Sequence, residues 1–113
     1  MQIVRKKESR PFIGGDNFKS IEYDTKDKEL NIAHVSINGR VPEKGVMRNT
    51  KVKEIVYVAS GKGSVTINNK KEEISEGDVI FYEKNERVFW EGKLDLIIAC
   101  TPAWSLEQHV TEE

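Results

Sequence analysis

Four side chains in this sequence have the right chemistry for proton transfer without a metal. Glu54 or His34 could act as a base, and Tyr57 or Tyr82 could act as an acid. A carboxylate in an apolar interior has a raised pKa, which would suit Glu54 to this role. These four residues are the candidate catalytic residues, and the sequence assigns no reaction to them.

Two of these candidates also have a simpler interpretation. His34 lies in an alternating stretch, residues 32–37, and the alternation leaves open which face looks into a pocket. Glu54 could be a structural carboxylate satisfied by Arg48, Lys53 or a tyrosine hydroxyl. Both the catalytic and the structural interpretation therefore remain open for Glu54 and His34.

The spacing around Glu54 resembles a known family. Six residues separate Glu54 from Gly61, and a second segment runs from Gly77-Asp78 through an apolar stretch to Tyr82. The order and spacing of these segments, with the closing run 100–104, is similar to that of the cupins. The resemblance implies a double-stranded β-helix, which is a jelly-roll barrel with an internal pocket, and commonly a homodimer.

The histidines with which most cupins hold a metal are missing. The two positions before Glu54 fall on Met47 and Asn49, or on Arg48 and Thr50 in the alternative spacing, and the later position falls on Val88. A divalent transition metal needs about three good ligands in fixed geometry. We therefore expect no metal and no other cofactor.

The positions that replace the metal ligands suggest a ligand pocket instead. Asn49 offers a hydrogen-bond donor and an acceptor, and Met47 is a flexible apolar filler. Trp90 shares a face with Val88 by alternation, and its ring could pack on a sugar or an aromatic ring. The predicted ligand-binding residues are Met47, Asn49, Glu54, Val88 and Trp90.

The elements that must position these residues are strands. Alternation of apolar and polar residues, with turn signals every eight to twelve residues, predicts an all-β sandwich or barrel. The predicted strands are 18–23, 32–37, 52–58, 64–68, 71–74, 79–82, 87–91 and 94–100. The apolar run 79–82 is expected to be covered on both faces.

We predict one domain over residues 1–113. Residues 1–29 would form N-terminal strands, 30–102 the barrel core, and 103–113 a C-terminal tail with at most a short helical turn. His109, in that tail, is expected to be exposed.

Composition excludes several classes of partner. The net charge is −1 with charged residues in 33% of the chain, so nothing predicts nucleic-acid binding. The single cysteine, Cys100, lies in an apolar run and is expected to be a buried hydrophobe. No apolar stretch predicts a signal peptide or a membrane span, so we expect a cytoplasmic protein with no membrane partner. The segment 2–4 could pair with an edge strand of a partner, which favours a homodimer.

Three functions follow from this sequence. The first is a metal-free cupin-like protein that binds a small polar or sugar-like molecule inside the barrel. The second is a metal-independent epimerase or isomerase that acts on a sugar-like substrate. The third is a structural or interaction module whose former metal site is filled by its own side chains.

Overall fold

The computed structural model describes all 113 residues, Met1 to Glu113, and most of its regular structure is β-strand. Its only helical elements are two 3-10 turns at Lys6–Glu8 and Leu106–Gln108, and no helix is long or apolar enough to cross a membrane. The strands are β1 (Arg10–Ile13), β2 (Phe18–Tyr23), β3 (Asn31–Val41), β4 (Val46–Asn49), β5 (Lys53–Ile67), β6 (Lys70–Ser75), β7 (Val79–Tyr82), β8 (Val88–Thr101) and β9 (His109–Glu112).

All strand pairs are antiparallel, and β8 is the centre of the sheet. Strand β5 pairs along one side of β8, and β3 pairs along the other. The free side of β5 pairs first with β7 and then with β6. Beyond β3 come β2 and β1, while β4 pairs with the first residue of β8 and carries β9 on its other side. The all-β jelly-roll barrel predicted from the sequence is confirmed.

The alternation of side chains explains why the sheet curls around a core. Val56, Val58 and Leu96 are fully buried on the inner face. Each buried aliphatic side chain of this size stabilises the fold by about 1.5–3 kcal/mol. The inner face of β3, β5 and β8 therefore forms the wall of the barrel.

Strands β5 and β8 are longer than predicted. Each was expected to be two strands separated by a glycine-containing turn, but each continues through its glycines with only a bulge at residue 59 of β5. Gly63 lies opposite Gly92, and a Cβ atom on Gly63 would lie 2.1 Å from the carbonyl oxygen of Glu91. These glycines allow two backbones to approach closely inside continuous strands.

Three further expectations differ from the structure. Strand β7 is covered on one face only, because Val79 and Phe81 point outwards and are more than half exposed. The C-terminal segment ends in the strand β9, which pairs with β4. This pairing places His109 opposite Asn49, where the ring is partly buried, so the expectation of an exposed His109 was wrong.

Candidate functional site

The barrel encloses a cavity of about 480 Å³ with mostly apolar walls. Strands β2, β3, β4, β5, β7 and β8 supply the walls, and the C-terminal segment closes one side with Trp104, Leu106 and His109. All the predicted ligand-binding residues line this cavity: Met47, Asn49, Glu54, Val88 and Trp90. The volume and the lining are those of a small-molecule site.

Residues of β4 and β8 form part of the apolar wall of the cavity. Met47 and Val88 are cross-strand partners, which explains why the two substituted positions lie side by side. Trp90 is 1% exposed, and its ring lies 6.4 Å from that of Tyr82, centroid to centroid. Trp90 is thus held by core packing and can present only part of its ring to a ligand.

Glu54 is the buried acidic group of the cavity, which the less buried Glu22 also lines. Its partner across the β5–β7 pair is Tyr82, whose hydroxyl donates a hydrogen bond of 2.5 Å to Oε1 of Glu54. Asn49 Nδ2 donates to the same oxygen at 2.9 Å. No protein hydrogen bond reaches Oε2, so this oxygen is available to a ligand.

The surroundings of Glu54 and Tyr82 favour their neutral forms. Burial raises the pKa of Glu54, and the hydrogen bonds from Tyr82 and Asn49 offset this only in part. Burial also raises the pKa of Tyr82 well above its ordinary value, and the Glu54 carboxylate adds to the effect. Tyr82 therefore stays protonated, while Glu54 holds its proton to a higher pH than a free carboxyl group does.

Asn49 connects Glu54 to the C-terminal segment. Its Oδ1 accepts hydrogen bonds from Gln108 Nε2 at 3.0 Å and from His109 Nδ1 at 2.9 Å, with Trp104 Nε1 at 3.4 Å. The rings of Trp104 and His109 lie 5.7 Å apart. One side-chain amide thus joins the carboxylate of the cavity to an imidazole on the same wall.

The other two candidate catalytic residues lie outside the cavity. His34 and Tyr57 occupy outward positions on β3 and β5, because Val35 and Val56 beside them point inwards. His34 Nε2 lies 3.5 Å from Asp95 Oδ1 at the surface. Of the four candidates, only Glu54 and Tyr82 come together.

Cys100 lies next to the site on the inner face of β8. Glu54 is its cross-strand partner, and its Sγ donates to Asn31 Oδ1 at 2.8 Å. Burial, with a smaller effect of the Glu54 charge, raises the pKa of the thiol to about 12. The buried position agrees with the sequence-based expectation, and the pKa makes the thiol a poor nucleophile.

The residues at the former ligand positions do not fit a transition metal. They supply a thioether, an amide, a carboxylate and an alkyl group, in Met47, Asn49, Glu54 and Val88. The Asn49 oxygen already accepts hydrogen bonds from its neighbours. No three His, Cys, Asp or Glu side chains come together as a ligand set. We therefore derive no step through a metal.

His109 and Trp104 were not predicted from the sequence as residues of the cavity. The available signal was the alternation from His109 to Glu112, which fits a short strand. Nothing in the sequence shows that this strand pairs with β4 and returns to the cavity, since that pairing joins residues about 60 positions apart.

Comparisons with known proteins agree with this geometry. The family model of the EutQ-like cupin domain matches residues 43–96. No curated protein sequence matches the chain.

Solved structures share the fold. A variant of Streptomyces PAC13 with uridine is 18% identical, with a TM-score of 0.88 over 100% of this chain and 91% of that chain. Pac13 is described as a nucleoside dehydratase. KdgF from Halomonas sp. is 15% identical, with a TM-score of 0.74 over 93% of this chain and 96% of its own. An RmlC-like cupin from Shewanella frigidimarina is 16% identical, with a TM-score of 0.74 over 91% and 92%.

Proposed function

We propose that this chain, a small protein of the cupin superfamily, binds a small, partly polar molecule inside its barrel. The observation that carries the proposal is the cavity of about 480 Å³, which has apolar walls and a cluster of polar groups on one side. Apolar walls with a few fixed polar groups are typical of small-molecule sites. Met47, Val88 and Trp90 would contact a ring of the ligand, and Asn49 and Glu54 its polar groups.

A sugar-like molecule or a nucleoside best fits a cavity with apolar walls and polar groups on one side. The free oxygen of Glu54, Oε2, can accept hydrogen bonds from the hydroxyl groups of such a ligand. Uridine is the first compound to test, because it accompanies a Streptomyces protein of the same fold. It combines a planar ring with hydroxyl groups.

The test is an NMR titration with uridine and a panel of neutral sugars. Backbone signals of the cavity residues 47, 49, 54, 88 and 90 should shift. Signals of His34 and Tyr57, on the outer face, are the internal control and should stay in place. If none of these compounds shifts the cavity signals, the proposal fails.

The size of the cavity argues against the third function, a structural or interaction module whose pocket is filled by its own side chains. Substitution of Met47 and Val88 for histidines would be expected to fill the former metal site. The walls instead leave about 480 Å³ between them. We therefore do not propose a non-catalytic module with a filled pocket.

A metal-independent epimerase or isomerase remains a second candidate. The observation that favours it is the pair of Glu54 and Tyr82, which are joined by a hydrogen bond of 2.5 Å within the cavity. Such a pair suits removal and return of a proton beside a carbonyl group. Aldoses incubated in D₂O should then exchange a carbon-bound proton, and Glu54→Gln should abolish the exchange. The matched control is His34→Ala on the outer face, and exchange that survives Glu54→Gln would contradict the idea.

We also propose a homodimer, through the outer face of the sheet. Four adjacent strands, β3, β8, β5 and β7, carry two rows of outward side chains that are apolar apart from one histidine. These outer rows are Ile32, Ala99, Ile55 and Phe81, and His34, Ile97, Tyr57 and Val79. Five of these apolar residues are more than 40% exposed, namely Ile32, Ile55, Tyr57, Val79 and Phe81.

The size of this face supports a second copy of the chain as its partner. From strand spacings of about 4.8 Å and rows about 7 Å apart, the outer rows cover roughly 250 Å². Contiguous apolar patches of a few hundred Å² commonly mark contact sites. This area would form the apolar centre of a dimer interface of about 800 Å² per partner.

Sedimentation distinguishes this face from the N-terminal segment. Phe81→Lys should convert a dimer to a monomer, because it places a charge in the centre of the contact. Ile3→Lys is the control: it tests pairing through residues 2–4, and we expect the dimer to survive it. A monomer at high concentration in the wild type would refute the proposal.

The remaining features of the protein are proposed from the same residues. We propose one domain over residues 1–113 in the cytoplasm, with no metal, cofactor, nucleic acid or membrane partner. The single buried Cys100 cannot form an internal disulfide, so no disulfide points to a secreted protein.

A further inference from the structure

The donor and acceptor of each hydrogen bond around Asn49 can be assigned, and the assignment starts from two backbone N–H groups. The backbone N–H groups of Lys51 and Val52 lie 3.2 and 3.4 Å from Oε1 of Gln108. A backbone N–H can only donate, so this atom of Gln108 is the carbonyl oxygen. The other atom, Nε2, must therefore donate to Asn49 Oδ1 at 3.0 Å.

The same reasoning fixes Asn49 itself. With its oxygen towards Gln108, its amide nitrogen faces the Glu54 carboxylate oxygen at 2.9 Å. The reverse orientation would set amide donors against each other and the Asn49 oxygen against the carboxylate. The Trp104 indole N–H, a donor only, lies on the oxygen side of Asn49 as well.

This direction determines the tautomer of His109. Its Nδ1 lies 2.9 Å from Asn49 Oδ1, which can only accept, so Nδ1 carries the proton. A neutral imidazole has one N–H group, so Nε2 bears a lone pair. Burial lowers the pKa of His109 and favours this neutral form. No protein group bonds Nε2, and the ring lines the cavity.

We infer that Nε2 of His109 is a second hydrogen-bond and proton acceptor that the cavity presents to its ligand, beside Oε2 of Glu54, with Asn49 as the positioning residue. This rests on the proposed function, that a small molecule enters the cavity. The charged groups nearby do not compete for the imidazole, because Arg48 is paired with Glu112 at 2.9 Å. The site therefore favours ligands that present a hydroxyl or N–H donor to His109.

The tautomer is tested by nitrogen NMR of the two imidazole rings. In the wild type at neutral pH, His109 should show a protonated Nδ1 and an unprotonated Nε2. Asn49→Leu removes the acceptor and should shift His109 towards the other tautomer. His34, on the outer face, is the control within the same spectrum and should not respond. A protonated Nε2 on His109 in the wild type would overturn the inference.

The acceptor role is tested with phenol and anisole, in which a methyl group replaces the hydroxyl proton of phenol. Phenol should bind about fivefold more tightly than anisole, the effect of one hydrogen bond. His109→Asn keeps a donor for Asn49 but has no atom at the Nε2 position, and it should abolish the difference. His109→Phe is the second variant, and His34→Asn is the matched control that should retain the difference.

The outcomes separate the two claims. If both compounds bind and phenol has no advantage in the wild type, the role of His109 is overturned while the ligand site stands. If the advantage survives His109→Asn, the role is likewise overturned. If neither compound enters the cavity, the ligand role of His109 fails, while the proposed function is decided by the titration with uridine and neutral sugars.

Discussion

Glu54 is a buried carboxylate whose two protein donors, Tyr82 and Asn49, bond the same oxygen. Removing one donor leaves a buried acceptor less satisfied, which costs about 1–3 kcal/mol. Tyr82→Phe should therefore lower the free energy of unfolding by this amount, as measured by urea denaturation at neutral pH. Tyr57→Phe, at the surface, is the control and should change it by less than about 0.5 kcal/mol.

The pH dependence of stability should report the environment of Glu54. Because its pKa is raised in the folded protein, the folded state binds more protons than the unfolded chain between the ordinary and the raised pKa. Stability is therefore lost as pH rises through this interval. Relative to Glu54→Gln, the wild type should become less stable between about pH 4 and the raised pKa of Glu54.

Asp95 provides a control whose contribution to stability changes with pH in the opposite direction. Hydrogen bonds from Ser36 and Ser60 lower the pKa of this surface carboxyl. Its contribution to stability is present above the ordinary pKa and is lost as pH falls. Relative to Asp95→Asn, the wild type should thus lose stability in acid. The same pH trend in both comparisons would contradict the assignment of Glu54.

Several residues of the cavity could be predicted because the spacing of the motifs determines their positions in the fold. Spacing from Gly61 and Gly77 identified Met47, Asn49, Glu54 and Val88, and all of them reach the cavity wall. His34 was not decidable, because its neighbours on both faces are apolar. Its outward direction follows from the register of β3 on β8, which only the folded sheet reveals.

At the scale of elements, the position of strand β9 depends on the side chain of Gln108. Gln108 is 2% exposed, and it joins the backbone of the loop before β5 to Asn49. Gln108→Ala should lower the free energy of unfolding by about 2–3 kcal/mol, because it leaves buried donors and an acceptor unpaired. Hydrogen exchange should also become faster in residues 109–112. Glu107→Ala, at an exposed neighbouring position, is the matched control, and equal effects would contradict this role.

The sequence located most strands but misjudged their ends. A short hairpin was expected at residues 69–70, and the turn is at Asn68 and Asn69, which both have positive φ. Glycines were taken as turns where they allow two backbones to approach closely inside β5 and β8. The physical reason is that a glycine permits a turn and a close backbone approach equally well.

At the scale of the whole molecule, the fold was predictable because alternation and motif spacing agree over the barrel core. The cavity was not, since its volume depends on pairing between segments distant in sequence. The segment 103–113, expected as a tail, supplies Trp104, Leu106 and His109 to the wall. Its strand character is weak in sequence because β9 has only four residues and follows a 3-10 turn.

The buried thiol of Cys100 can report transient opening of the barrel. A buried thiol with a pKa of about 12, on a strand paired with β3 on one side and β5 on the other, should react with a labelling reagent only in molecules whose barrel has transiently opened. The labelling rate divided by the rate in denaturant then measures the fraction of time that the barrel is open. A ligand that binds only the closed barrel should slow labelling, about tenfold at ten times its Kd. Since the chain has one cysteine, a single rate reports both opening and binding, with no added probe.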